Sequence, residues 1–150
     1  MDKYIGVKLI AAEPMCEYEF KGVYTADSAK GREGYKVVYE DGYISWSPKD
    51  VFEKAYLKVS KNEDLKSDIS ISQYMVDKFI VDYEVFTKKN KITIVIATLV
   101  NGFTIVESSA CVDPENYDEK IGAQICKERI INQVWNHLGF LLQCGVGGIK

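Results

Sequence analysis

Apolar and polar positions alternate most clearly between Lys91 and Gln143, in KITIVIATLV-NG-FTIVESSACVDPENYDEKIGAQICKERIINQVWNHLGFLLQ. Two strands rich in Ile, Val and Thr flank Asn101-Gly102, and a long helix follows, entered through Asp113-Pro114. Read as a two-residue loop, Asn101-Gly102 sets Val100 opposite Phe103 and Ile96 opposite Glu107. One face then carries Ile92, Ile94, Ile96, Val100, Phe103 and Ile105, and the other carries Val95, Ala97, Leu99, Val106 and Ala110. Both are largely apolar, whereas a sheet wetted on one side alternates apolar with polar. The helix covers one face, so the other calls for the N-terminal part of the chain or a second copy of it.

At helical periodicity Ile121, Ile125, Ile131, Val134, Trp135, Leu138 and Leu142 fall in one broad arc. The width of that arc predicts burial on two sides, as in a dimer. Lys120, Gln124 and Lys127 fall inside it, near the helix start, while Arg129, Asn132, Gln133 and Asn136 fall opposite. Polar groups on a buried stripe need partners. Either these three snorkel outward or pair with Glu107 or Glu119, or they line an anion pocket near a helix N-terminus.

Upstream the pattern is shorter in period. Residues 3–12, KYIGVKLIAA, predict a strand stopped by Glu13-Pro14, and residues 16–33 a loop with one short element. GYKVVYE-DG-YISWS predicts a hairpin with a type I′ turn at Asp41-Gly42. Ser47 is then placed to cap a helix with Pro48 at its first position and Asp50 in its first turn, burying Val51, Phe52, Ala55 and Tyr56. The charged stretch 60–68 predicts a linker. Beyond it, ISISQYMVDKFI fits a helix capped by Ser70 or Ser72 or a strand running into VDYEVFT. The favoured reading is a short helix and then a strand from about Ile80 to Thr87, and Lys88-Lys89-Asn90 turns the chain into the long hairpin. The fold class expected is α+β: a small N-terminal β-hairpin and helix module (1–59), a linker (60–68), and an antiparallel sheet packed on a long C-terminal helix (69–150), the last serving ligand binding and dimerisation.

Composition narrows the function by exclusion. With 47% hydrophobic and 27% charged residues, the 150-residue chain buries a real core. A formal charge of −3 gives no general attraction to polymeric nucleic acid or anionic lipid. No signal-peptide pattern opens the chain and no apolar run reaches membrane-spanning length, so the expected location is the cytoplasm. Cys16, Cys111, Cys126 and Cys144 form no CxxC pair, which fits reduced structural thiols. His137 is the sole histidine and has no motif around it, so Ser/His/Asp and Cys/His catalysis find no support. DPENYDE lacks the alternating ligands and glycine of a calcium loop and reads as helix capping. No metal, no cofactor and no enzyme activity are expected.

The motif NGFTIVESSACVDPENYDEKIG, followed by the IINQVW helix, resembles a small phage and prophage family typified by "NGF…SACVDPxNFDxxIG…W". That family includes, or is close to, the first type of Thoeris anti-defence protein. The resemblance implies a non-enzymatic sponge that sequesters the cyclic ADP-ribose-derived messenger made by bacterial TIR-domain defence proteins, or a cyclic oligonucleotide. It further implies a homodimer or higher homo-oligomer in the host cytoplasm, with pockets between the sheet and the start of the last helix. Lys127 and Lys120 would supply charge, Gln124 and Asn116 hydrogen bonds, and Ile96, Phe103 and Glu107 the hairpin surface. Family members often carry two arginines four residues apart where this chain has Ala123 and Lys127, and lysine lacks the planar fork of arginine. Residues 4–56, with YIGVKLIAAEPM and EDGYISWSPKDVFEKAY, are similar to an N-terminal module shared by many phage proteins. A protein-binding inhibitor of a host defence enzyme is the alternative reading, and a phage structural accessory protein a third.

Overall fold

A computed structural model of the chain describes residues 1–23 and 31–150. Two compact units emerge, one of Met1–Lys58 with Gln143–Lys150 and one of Val59–Leu142. The architecture is α+β, with two antiparallel three-stranded sheets and a long C-terminal helix.

The first unit orders its sheet β1 (Ala11–Pro14), β2 (Gly34–Val38), β3 (Ile44–Pro48), with β2 central. The predicted strand at 3–12 is displaced: residues 1–10 have no regular structure, and Glu13 and Pro14 lie within β1. Proline is tolerated there because β1 is an edge and Pro14 needs no outward N–H. In the loop predicted over 16–33, Cys16 caps helix α1 (Glu17–Lys21), and residues 24–30 lie outside the described residues. Ser47 is not a helix cap. It belongs to β3 opposite Tyr35, and helix α2 (Lys49–Ala55) starts after Pro48 without a side-chain cap. Of its predicted buried face, Val51 and Ala55 are exposed. Phe52 does the packing, stacked on Tyr35 at 4.2 Å and Tyr56 at 4.9 Å.

In the second unit, Ser72 caps helix α3 (Gln73–Phe79), which runs straight into β4 (Ile80–Lys88). Strands β5 (Ile92–Leu99) and β6 (Thr104–Ala110) complete the sheet in the order β4-β5-β6. A 3₁₀ turn (Pro114–Asn116) leads to helix α4 (Glu119–Gly147). Residues 60–68 are tied into this unit, where Asn62 accepts and donates hydrogen bonds with Asp64 and Ile71, and its N–H reaches the Ser70 hydroxyl.

Both Asx-Gly turns differ from the two-residue form. A type I′ turn needs positive φ at two central residues. Here Gly42 (φ 84°) and Gly102 (φ 83°) are left-handed, but Asp41 and Asn101 are not. Instead each turn spans three residues: Gly42 N–H donates to Tyr39 O and Gly102 N–H to Leu99 O. The Asp41 and Asn101 side chains accept from the N–H of Tyr43 and Phe103, which stabilises this wider form. The extra residue moves the β5–β6 register by one. Ile96 therefore faces Val106 rather than Glu107, Leu99 rather than Val100 faces Phe103, and Ile105 turns inward beside Ala97. The type I′ dihedrals occur at Lys89 (φ 53°) and Asn90 (φ 51°), between β4 and β5. Lysine pays a steric cost in that region, so Lys89→Gly is expected to raise the unfolding free energy by about 1 kcal/mol in urea titrations.

Val95, Ala97, Leu99 and Ile105 from the sheet meet Ala123, Cys126, Ile130, Val134 and Leu138 from α4, with Met75 and Val76 from α3. Ile130 and Val134 are fully buried. The predicted helix arc is thus rotated: Ile121 is 61% exposed and Ile125 is exposed too. Small residues, Gly122, Ala123 and Cys126, form the buried stripe where α4 lies close to the sheet, and hydrophobicity weighting overlooks them. On the opposite sheet face Phe86 and Val106 are exposed, while Ile92, Ile94 and Ile96 are half-buried.

Candidate functional site

The segment joining β6 to α4 is built from caps and bridges. Asp113 accepts from Glu115 N–H to start the 3₁₀ turn, and Asp118 accepts from Lys120 N–H (2.8 Å) and Ile121 N–H (3.2 Å) to cap α4. Between them the Tyr117 hydroxyl bridges Thr87 on β4 (2.7 Å) and the buried Thr93 on β5 (3.0 Å), and Glu119 also accepts from Thr87. Gly122 then rests against Thr93 with no room for a side chain. The DPENYDEKIG motif therefore docks the helix start onto the sheet. It leaves Lys120 and Gln124 exposed on the outer flank, with Gln124 donating to Glu128.

Lys127, one turn further on, leans toward β4. Its Nζ lies 5.0 Å from the centre of the Tyr83 ring, a cation on an aromatic face. Burial, and then the nearby Asp77 carboxylate, push the Tyr83 hydroxyl above its ordinary pKa. Sequence reasoning missed Tyr83. Its signal was the register of β4, which sets it opposite Ala97 on the helix-facing side.

The eight predicted residues do not meet in one chain. Lys127, Lys120 and Gln124 share a helix flank; Ala123 is buried in the core. Asn116 closes the 3₁₀ turn that precedes the helix start. Ile96 faces away from the helix side of the sheet, and Phe103, at the hairpin tip, is 56% exposed and edges onto His137. Glu107 turns toward α4, where Gln133 donates to it and Arg129 lies 3.9 Å away. These two partners come from the helix side that the sequence set opposite the core. Burial raises the pKa of the nearby Cys126 thiol, which packs as a small apolar residue. Among the described residues no group of three or more His, Cys, Asp or Glu side chains could hold a metal, and no helix is long and apolar enough to cross a membrane. A cavity of about 590 Å³ lies in the first unit, lined by Lys8, Tyr39, Glu40, Asp41 and the C-terminal end of α4 with Gly148, and it includes none of the eight.

Residues 69–146, more than half of the chain, match the Phage protein (N4 Gp49/phage Sf6 gene 66) family. The chain belongs to that family. The match spans α3, the whole β4-β5-β6 sheet and nearly all of α4, so the capped junction and the Lys127–Tyr83 pair lie inside the N4 Gp49/Sf6 gene 66 region. Comparison with curated proteins gave no match, and comparison with solved structures gave none.

Proposed function

We propose that this phage family member acts by holding a cyclic ADP-ribose-type or cyclic oligonucleotide messenger of host defence, without cleaving it. The observation that carries the reading is the Lys127–Tyr83 pair, an ammonium poised on an aromatic face beside an exposed stripe with Lys120 and Gln124. A nucleotide needs a ring to stack on and a cation for its phosphates, and each stacked base contributes about 1–3 kcal/mol. On ligand binding the Lys127 ammonium leaves the ring for a phosphate oxygen and the base takes its place on Tyr83. The resemblance of the NGFTIVESSACVDPENYDEKIG motif to anti-defence sponges supports the same reading.

Titration calorimetry with cyclic ADP-ribose isomers and cyclic di- and trinucleotides tests it. One of these should bind and be recovered intact after heat release, and Lys127→Ala should weaken binding about tenfold or more. A cleaved product, or binding indifferent to Lys127→Ala, counts against this site. The second reading, an inhibitor that docks on a host defence enzyme, is favoured by the apolar sheet face around Phe86, Ile94, Ile96 and Val106. Retrieval of one defence enzyme, with no nucleotide bound, would replace the first reading with it.

A further inference from the structure

The two edges of the β4-β5-β6 sheet are treated differently by the rest of the chain. Leu99 N–H donates to Phe103 O and Cys111 N–H to Lys91 O, so odd-numbered residues of β5 bond to β6. Even-numbered ones bond to β4, through Asp82, Glu84, Phe86 and Lys88. On β6 the outward carbonyls are therefore the even ones, and one of them, Ser108 O, is covered by Arg129 Nη1 at 2.9 Å. On β4 the outward N–H and C=O groups belong to Tyr83, Val85 and Thr87. None of these six has a hydrogen-bond partner among the described residues. An open row of this kind is a template for another strand.

We propose that the β4 edge pairs antiparallel with β4 of a second copy of this chain, centred on Val85. Three registers pair more than one of these residues in each copy, and charge and the position of the turn separate them. Centring on Glu84 sets that carboxylate against the partner's Glu84, a repulsive pair. Centring on Phe86 sets Tyr83 against the partner's Lys89, which is already in the left-handed turn, and leaves its outward groups unpaired. Centring on Val85 pairs Tyr83 with the partner's Thr87 and Val85 with the partner's Val85, satisfying all outward groups of both copies. The same register places Asp82 directly opposite the partner's Lys88, twice by symmetry. It also sets the row bearing Lys127, over Tyr83, beside the row bearing the partner's Glu119, bonded to Thr87. Both faces of the joined six-stranded sheet are thus charge-matched at the seam. This pairing stands whether or not a nucleotide is the ligand.

Native mass spectrometry and light scattering on the full chain test the pairing. The parent should be dimeric. Val85→Pro removes one outward N–H without touching a bond to β5, and it should give a monomer with unchanged far-ultraviolet circular dichroism. Independently of that variant's folding, Lys88→Asp should raise the dimer dissociation constant about tenfold, and Asp82→Lys combined with Lys88→Asp should restore it. A monomeric parent, a dimer untouched by Val85→Pro, or a double variant as weak as the single one overturns the proposal.

Discussion

Gly122→Ala is expected to lower the stability of the second unit by about 2–4 kcal/mol, an effect at the large end for a single added methyl. A β-carbon at this position would lie 2.3 Å from Thr93 Oγ1 and 2.8 Å from Thr93 Cβ. Rotating the threonine relieves the first contact and not the second, because Cβ is fixed by the backbone of β5. Thr93 is fully buried and its hydroxyl is bonded to Tyr117, so the strand cannot yield either. The helix must therefore rise off the sheet, which loosens the packing of Cys126 and Ile130 and breaks the Tyr117 bridge. Urea denaturation reads the loss, and hydrogen exchange should show it in β4, β5 and α4. Thr93→Gly in the Gly122→Ala background removes the opposing atoms and should recover part of the stability; no recovery would mean the close approach is not the cause.

The same site shows how far the sequence could be read. The elements from Ser72 onward largely follow from caps and periodicity, although the stretch before β4 also admits a strand and leaves the helix cap between Ser70 and Ser72, which the structure gives to Ser72. The failures are long-range. Asn101-Gly102 is compatible with two turn lengths, and what decides between them is whether the Asn side chain reaches the N–H two residues on, as it does for Phe103. A single residue of slip inverts β6, turning Ile105 inward and Val106 outward, and places Glu107 where only the helix can partner it. The helix face was misread for a related reason. Close helix–sheet approach selects small residues, so Gly122, Ala123 and Cys126 mark the contact better than Ile121 and Ile125 do. The candidate site was legible only in its helix half: Lys127, Lys120 and Gln124 follow from spacing, whereas Tyr83 is brought to Lys127 by the β4–β5 register. The placement of Ile96 and Glu107 in one site rested on the slipped register and does not survive it.

Gly34→Ala is expected to destabilise the first unit by a comparable amount, about 2–4 kcal/mol. Gly34 opens the central strand β2, and the Trp46 indole lies across it. An added β-carbon would approach Ser47 O to 2.4 Å and Trp46 Cζ2 to 2.4 Å. Neither neighbour can move cheaply. Ser47 O belongs to the backbone of the paired strand, and the indole is held by its own Nε1–H, which donates to Met15 O at 2.8 Å, with the Arg32 guanidinium 5.4 Å from the ring centre. Displacing the ring frees that hydrogen bond and opens the β1–β2 end of the sheet, where Met15 N–H also donates to Gly34 O. Trp46 fluorescence should shift toward that of an exposed indole. Hydrogen exchange separates this variant from Gly122→Ala, because increased exchange is expected in β1, β2 and β3 while the amides of β5 keep their protection. Equal loss in both sheets would show that the two units unfold as one, and that the division of the chain at Lys58 and Val59 is not an energetic boundary.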